Sequence, residues 1–262
     1  MRVIVTRPLR EAQSWADVLA GAGCTALVWP LIDIAPLADA QELVRARARA
    51  QLSGYTDVMF VSAAAAGHFF ESNRAVPPVE WTSSAIKTRA LATGQGTVAA
   101  LRRCGVPAEC IDAPGDAAPR WDSEALWSRV GSRMGPHSRV LVVRGADADG
   151  EAAGRDWFAS QVAGAGGSVE FVAAYRRMPP VWNPAQCAAA ERALVDGSLW
   201  LISSSQALRH LRGLLPGADF THAHALATHP RIAQAARETG FGVVHESPPR
   251  LDDVVASIKS LT

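Results

Sequence analysis

One local pattern recurs along the whole chain and limits the folds open to it. A short apolar run is followed by a turn of small or hydroxyl-bearing residues and then by a helical pattern. It occurs in "RVIVTRPLREAQSWADVLAGAG", "DVMFVSAAAAGHFF", "RALATGQGTVAALRRCG", "RVLVVRGADADGEAAGRDWF", "LWLISSSQALRHL" and "ALATHPRIAQAARETG". Strands that alternate with helices predict an α/β fold in which helices cover both faces of a parallel sheet.

These segments also form pairs that follow the same order in two parts of the chain. The pairs are "VIVTRP" with "VLVVRG", "VMFVSAAAA" with "LWLISSSQA", "ALATGQGTVAALRRCG" with "ALATHPRIAQAARETG", and "ECIDAPGDAAPRWDSEALWSRV" with "VVHESPPRLDDVVASIKSL". The first pair places Arg7 against Arg144, and the second places Ser62 against Ser203. The chain is therefore predicted to contain two similar, flavodoxin-like lobes, each a parallel β-sheet flanked by helices.

The pairing leaves two domain arrangements open. A tandem duplication would divide the chain near residue 135, at "GSRMGPHS". Alternatively, "VWPLIDIAPL" (28–37) and "VEFVAAYRRMPP" (169–180), both extended and bounded by proline, are two connections between the lobes. The first lobe would then comprise 1–35 and 177–262, with the second lobe, 38–173, inserted.

Composition and charge exclude several classes of protein. A 48% share of hydrophobic residues supports a sizeable core, and the net charge of +1 argues against a broad nucleic-acid-binding face. No apolar run reaches the roughly 18 to 20 residues of a membrane span, and the start "MRVIVTRPLREAQ" is unlike a secretory signal. The four cysteines form no C-x-x-C pair, which argues against zinc and disulfides. We therefore expect a cytoplasmic protein without a membrane segment.

Hydroxyl side chains follow the predicted strands and make an anion the expected ligand. They are Thr6, Ser62, Thr93, Thr97, Ser203, Ser204, Ser205 and Thr228. Ligands of open parallel sheets bind beyond the carboxyl ends of the strands, where helix N-termini offer unpaired amides. Ser and Thr are also ordinary helix caps, worth about 1 kcal/mol each without any ligand. Repetition in both halves of the chain favours the ligand-binding interpretation.

Other motifs are incomplete. "GQGT" lacks the spacing of a phosphate-binding loop, and "SSSQ" lacks the pattern of a hydrolase nucleophile. His222, His224 and His229 have no carboxylate or cysteine at a metal-ligand spacing. The acidic segment "GADADGEAAGRDW", with Asp147, Asp149, Glu151 and Asp156, lacks the order of a calcium loop and is read as a solvated helix start.

The ordered set of motifs resembles uroporphyrinogen-III synthase along essentially the whole chain. The set is "VTRP", "DVMFVSAAA", "ATGQGTVAAL", "DSEAL", "VLVVRG", "VAAYRRMPP", "LISSSQAL" and "THPRIAQAA". The resemblance implies an enzyme without cofactor or metal that closes linear hydroxymethylbilane to uroporphyrinogen III, inverting the last pyrrole ring and releasing water. It also implies the inserted-lobe arrangement, with the active cleft between the lobes.

The resemblance further implies site residues and partners. Tyr175 in "VAAYRRMPP" is the expected catalytic acid, because a phenol is protonated at neutral pH and can assist the departing hydroxide. The expected binding residues for the eight substrate carboxylates are Arg7, Ser62, Thr97, Arg144, Ser203, Ser204 and Thr228. A monomer is expected, with transient contact to the upstream hydroxymethylbilane synthase.

Two rival functions are weighed against this one. A two-lobed module that binds an anionic small molecule without catalysis would show the same strand-end hydroxyls. A tetrapyrrole methyltransferase is disfavoured, because no glycine-rich cofactor loop is found in the sequence.

Overall fold

The chain folds into two units in a computed structural model that describes residues 1–70, 81, 87–115, 118, 120–147 and 156–261. Unit 1 consists of Met1–Ile34 and Met178–Thr262, and unit 2 of Ala35–Arg177. Asp149 and Glu151 of the acidic segment lie outside the described residues. Over the described ranges, every helix is too short or too polar to cross a membrane.

The described strands and helices alternate as the sequence pattern predicts. In chain order they are β1 (Arg2–Val5), α1 (Leu9–Gly21), β2 (Thr25–Val28), β3 (Asp33–Ala35), α2 (Asp39–Ala50), β4 (Asp57–Phe60), α3 (Ala63–Phe70), β5 (Arg89–Ala92), α4 (Gln95–Arg103), β6 (Ile111–Asp112), α5 (Ser123–Val130), β7 (Arg139–Ala146), α6 (Trp157–Gly164), β8 (Ser168–Met178), α7 (Pro184–Val195), β9 (Leu199–Ile202), α8 (Ser205–Leu214), β10 (His224–Ala227), α9 (Pro230–Thr239), β11 (Val243–Glu246) and α10 (Leu251–Ser260).

The sheet of unit 1 has the strand order β2-β1-β9-β10-β11, and each neighbouring pair is parallel. Counted along the chain within this unit, the order is 2-1-3-4-5, which is the flavodoxin-like arrangement. The strand order reverses between β1 and β9. The carboxyl ends of these two strands therefore flank the place where such sheets bind ligands.

The sheet of unit 2 has the order β8-β7-β4-β5-β6, with all four pairs parallel, and β3 completes the edge beside β8. This is the same 2-1-3-4-5 order if counting starts at β7. The equivalent strands are therefore β1 and β7, β9 and β4, β10 and β5, and β11 and β6. These are the four pairs found in the sequence, so the prediction of two similar α/β lobes is confirmed.

Apolar side chains cover both faces of the unit 1 sheet. On one face, α7, α8 and α9 pack around Trp200, which is fully buried and whose indole Nε1 donates to the carbonyl of Ala193 at 3.2 Å. On the other face, α1 and α10 bury Leu19 and Ile258 against the strands. The alternation of strand side chains sends neighbouring residues to opposite layers.

In unit 2, α5 and α6 cover one face of the sheet, where Leu126 and Phe158 pack on Met59 and Val142. Charged groups join two of its strands. Arg133 Nη2 lies 2.7 Å from Asp57 Oδ1 and 2.8 Å from Asp112 Oδ2, linking β4 to β6.

Left-handed glycines follow the ends of two helices in unit 1. Gly240 caps α9 in the left-handed conformation with φ 108°, as its position predicts. In α1, Gly21 is the last helical residue, and the left-handed residue is Gly23 with φ 89°. The left-handed turn falls two residues later because the chain turns through Ala22 before reaching β2.

Candidate functional site

In unit 1, predicted site residues lie at both strands that flank the reversal of strand order. Thr6 and Arg7 follow β1, and Ser203 and Ser204 follow β9. The buried hydroxyl of Thr6 donates to the carbonyl of Leu201 at 2.7 Å and so joins the two strand ends. The side chains that follow β1 and β9 therefore lie next to each other at the same edge of the sheet.

Arg7 is held in place by groups of the next helix. Its Nη1 donates to Glu11 Oε2 at 2.8 Å, and its guanidinium stacks 3.8 Å from the ring centroid of Trp15. Burial lowers the pKa of Arg7 below its ordinary value, and the charge of Glu11 opposes this effect. A carboxylate thus already faces this guanidinium in the protein alone.

The hydroxyls that follow β9 and β10 have mostly structural partners. Ser204 caps α8 by accepting the N–H of Gln206 at 3.2 Å. Thr228 is buried, and its N–H donates to the carbonyl of Ile202 at 3.1 Å, which places it beside Ser203. The capping interpretation explains Ser204, and the partly exposed Ser203 lies next to it.

Unit 2 repeats the arrangement of Arg7 at the equivalent strand. Arg144, near the end of β7, pairs through Nη1 with Asp156 Oδ1 at 2.6 Å and stacks 4.0 Å from the ring centroid of Phe171. Asp156 directly precedes α6, just as Glu11 lies in the first turn of α1. Each lobe therefore holds one arginine against an aromatic ring and a carboxylate at the start of the following helix.

Tyr175 is 5% exposed and lies on β8, the neighbour of β7, which is one of the two strands at the reversal of strand order in unit 2. Its hydroxyl is 3.4 Å from Ser62 Oγ, and Ser62 in turn accepts the N–H of Ala65 at 3.0 Å. The ring of His68 lies 5.5 Å from the tyrosine ring, centroid to centroid. The structure thus brings two predicted site residues, Ser62 and Tyr175, into contact.

The tyrosine ring lies directly on Gly145. A Cβ added at Gly145 would be 2.7 Å from Tyr175 Cε2 and 2.8 Å from Cζ, closer than side-chain contacts allow.

Thr97, the remaining predicted residue, is buried in the first turn of α4, after the strand next to β4. It belongs to the same edge of the sheet, one strand away from Ser62.

Two residues of this region were not among the site residues predicted from the sequence. Gly145 stands where the first lobe has Pro8, and this difference between "VVRG" and "VTRP" was the available signal. Arg45 belongs to the helix "DAQELVRARARA", whose repeated arginines are typical of an exposed helix, although Arg45 and Arg49 are both buried. Within the described residues, no group of three or more His, Cys, Asp or Glu side chains is arranged to hold a metal ion.

Comparisons with known proteins match both the sequence and the fold. The family model described as uroporphyrinogen-III synthase HemD matches residues 13–256. A mutant uroporphyrinogen III synthase from the extremely thermophilic bacterium Thermus thermophilus is 19% identical with a TM-score of 0.58, covering 99% of this chain and 98% of that one. Uroporphyrinogen-III synthetase from Helicobacter pylori is 14% identical with a TM-score of 0.52, covering 79% and 84%.

The structural likenesses show a shared fold, and the family match spans nearly all of the chain. This family consists of enzymes of tetrapyrrole synthesis. The chain belongs to the uroporphyrinogen-III synthase family.

Proposed function

We propose that the chain is a cofactor-independent, cyclising hydro-lyase that converts hydroxymethylbilane to uroporphyrinogen III and water, with inversion of ring D. The observation that carries the catalytic part is the buried phenol of Tyr175, 3.4 Å from the hydroxyl of Ser62 at the ligand-binding edge of a sheet. A protonated phenol in this position is a proton donor for a leaving hydroxyl group.

The proposed reaction begins with loss of the terminal hydroxymethyl oxygen. Tyr175 donates its proton as the carbon–oxygen bond breaks, so that water leaves and an azafulvene cation remains. A carbon of ring D attacks the cation, and the resulting spiro intermediate fragments and closes again with ring D inverted. The pyrrole carbon that forms the final bond loses its proton, which restores the phenol, so that water is the only by-product.

Strand ends of both units are proposed to hold the substrate carboxylates. Helix N-termini and hydroxyl groups supply neutral hydrogen-bond donors there. Arg7 and Arg144 add positive charge, and each already faces one carboxylate, Glu11 or Asp156. A substrate carboxylate at either guanidinium would have to replace or join that internal partner. The proposal therefore spreads the binding energy over many donors, with Thr97, Ser203, Ser204 and Thr228 among them.

The isomer of the product tests the proposed function directly. Incubation with hydroxymethylbilane, followed by oxidation and chromatographic separation of the porphyrins, is expected to give the type III isomer. Spontaneous closure gives type I. Type I at the rate of a protein-free control would reject the synthase activity, and tight substrate binding in that case would indicate the non-catalytic binding module instead.

Substituting a single one of the proposed binding hydroxyls is expected to lower kcat/KM only slightly. Ser62→Ala and Thr228→Ala should each lower kcat/KM less than tenfold, because each removes one donor from a large set and about 1 kcal/mol of capping or hydrogen-bond energy. Steady-state kinetics measure the effect. Ser128→Ala, at an exposed position on α5, is the matched control. Complete loss of activity in a folded Ser62→Ala protein would contradict a diffuse binding site.

Location and partners complete the proposal. We propose a monomeric enzyme that works in the cytoplasm on a tetrapyrrole substrate, without nucleic acid or membrane, and the family match supports the class of substrate. Transient contact with the upstream hydroxymethylbilane synthase fits a substrate that closes spontaneously to the wrong isomer. These points remain predictions.

A further inference from the structure

An irregularity in strand pairing lies next to Tyr175. Along β7 and β8, Val143 pairs with Val172 and Arg144 with Ala173, but Gly145 pairs with Tyr175. Ala174 is therefore an extra residue, which makes a β-bulge. A bulge interrupts the ladder of hydrogen bonds and changes the direction of the following side chain. Here the redirected side chain is the proposed catalytic tyrosine.

A buried arginine binds the carbonyl of the bulged residue. Arg45, on α2, is 5% exposed, and its Nη1 lies 3.5 Å from the carbonyl oxygen of Ala174, a long hydrogen bond. The same nitrogen donates to the carbonyl of His68, and Nη2 pairs with Glu42. Burying a guanidinium is costly unless its donors are satisfied. Two backbone carbonyls and one carboxylate supply part of that compensation at Nη1 and Nη2, while the buried Nε has no hydrogen-bond partner among the described residues.

Both carbonyls belong to the immediate surroundings of Tyr175. Ala174 precedes the tyrosine in β8, and His68 presents its ring to the tyrosine ring from α3. One guanidinium therefore joins the strand that carries the phenol to the helix that packs on it. Gly145 supports the ring from β7, where any larger residue would collide with it.

We propose that Arg45 is a positioning residue that holds the Ala174 bulge and thereby sets the location of the Tyr175 hydroxyl. Its catalytic consequence rests on the proposed function of Tyr175 as the acid. Displacing a reacting group by about 1 Å can lower a rate about 10²-fold. We therefore expect Arg45→Gln to lower kcat at least tenfold while KM changes little, because Arg45 is buried and is not among the proposed binding residues.

The two tyrosines of the chain permit a structural test that is independent of activity. Protein labelled with 3-fluorotyrosine should give two ¹⁹F resonances, and Tyr55→Phe assigns them by removing one. Arg45→Gln should move the Tyr175 resonance and leave that of Tyr55 in place. Arg47→Gln, at an exposed position of the same helix, is the matched control and should move neither.

A double-mutant comparison separates positioning from general structural damage. In a Tyr175→Phe background, Arg45→Gln should cause no further fall in kcat, because the hydroxyl that it places is gone. An equal fall in both backgrounds would overturn the proposal, and so would a Tyr175 resonance that does not move in Arg45→Gln. If Arg45→Gln does not fold, Glu42→Gln should shift the same resonance by loosening Arg45, and an unmoved resonance there overturns the proposal as well.

Failure of the proposed function has a different signature. If Tyr175→Phe keeps the full rate, Tyr175 is not the acid, and the catalytic consequence of Arg45 falls with it. The ¹⁹F shift then still decides whether Arg45 places the tyrosine ring.

Discussion

Tyr175→Phe is expected to lower kcat about 10²-fold, the contribution typical of one positioned proton donor. The substitution removes only the hydroxyl, so the ring still packs on Gly145 and His68 and the fold is retained. KM should change little. Initial rates of type III product, measured by quenching, oxidation and separation of the isomers, give the effect. The share of type I should rise, because substrate that waits longer closes spontaneously.

The other tyrosine of the chain provides the control. Tyr55 donates to Glu170 Oε2 at 2.8 Å, and burial together with this carboxylate raises the pKa of Tyr55 to about 12. It lies just before β4, at the end of the sheet away from the proposed site. Tyr55→Phe should therefore cost about 1 kcal/mol of stability and leave kcat unchanged. Equal kcat values for Tyr175→Phe and the unsubstituted protein would remove Tyr175 as the acid.

Gly145→Ala is expected to reduce kcat as much as Tyr175→Phe does, although it leaves the phenol in the chain. The new methyl group would lie 2.7 Å from Tyr175 Cε2, so the ring has to move off β7 and its hydroxyl moves with it. The backbone of Gly145 does not have positive φ, so the collision with the ring is the cause of the effect. Overpacking of this kind costs about 1 to 3 kcal/mol.

Thermal unfolding of paired variants checks that cause. Gly145→Ala should cost less stability in a Tyr175→Ala background than in the unsubstituted protein, since that background lacks the side chain that collides with the new methyl group. Gly164→Ala, at a helix end where an added Cβ meets no described atom within 4 Å, is the matched control and should leave kcat unchanged. Wild-type kcat in Gly145→Ala would show that the position of the ring is not critical.

The repeated strand–turn–helix pattern was sufficient to predict the architecture. Four paired segments predicted two similar lobes, and the equivalent strands of the two sheets are those pairs. This success has a physical reason, since buried parallel strands and their capped helices leave strong local signals in apolar runs and turn residues. Arg7 and Arg144, matched in the sequence, also have matching surroundings in the two units.

The surroundings of Tyr175 could not be predicted in this way, because they depend on pairing between distant segments. The bulge at Ala174 exists only in the register of β8 against β7, and "VAAYRR" gives no local sign of it. Arg45 is 129 residues away from Ala174 in the chain, on a helix whose composition is typical of an exposed surface. Arginine side chains are usually exposed, so the sequence gives no reason to expect a buried one here. The role of Arg45 follows only from its contacts in the structure.

The central place of β1 in its sheet has a consequence for synthesis of the protein on the ribosome. Val3 pairs with Leu199. One edge of β1 therefore has no partner strand until the ribosome has synthesised almost two hundred further residues. At about 5 to 20 residues per second, that delay is roughly 10 to 40 seconds. The described strands of unit 2 emerge in the meantime, and this unit can complete its sheet first. During the delay β1 presents an unpaired apolar edge, which makes the nascent chain a candidate for chaperone binding before β9 appears.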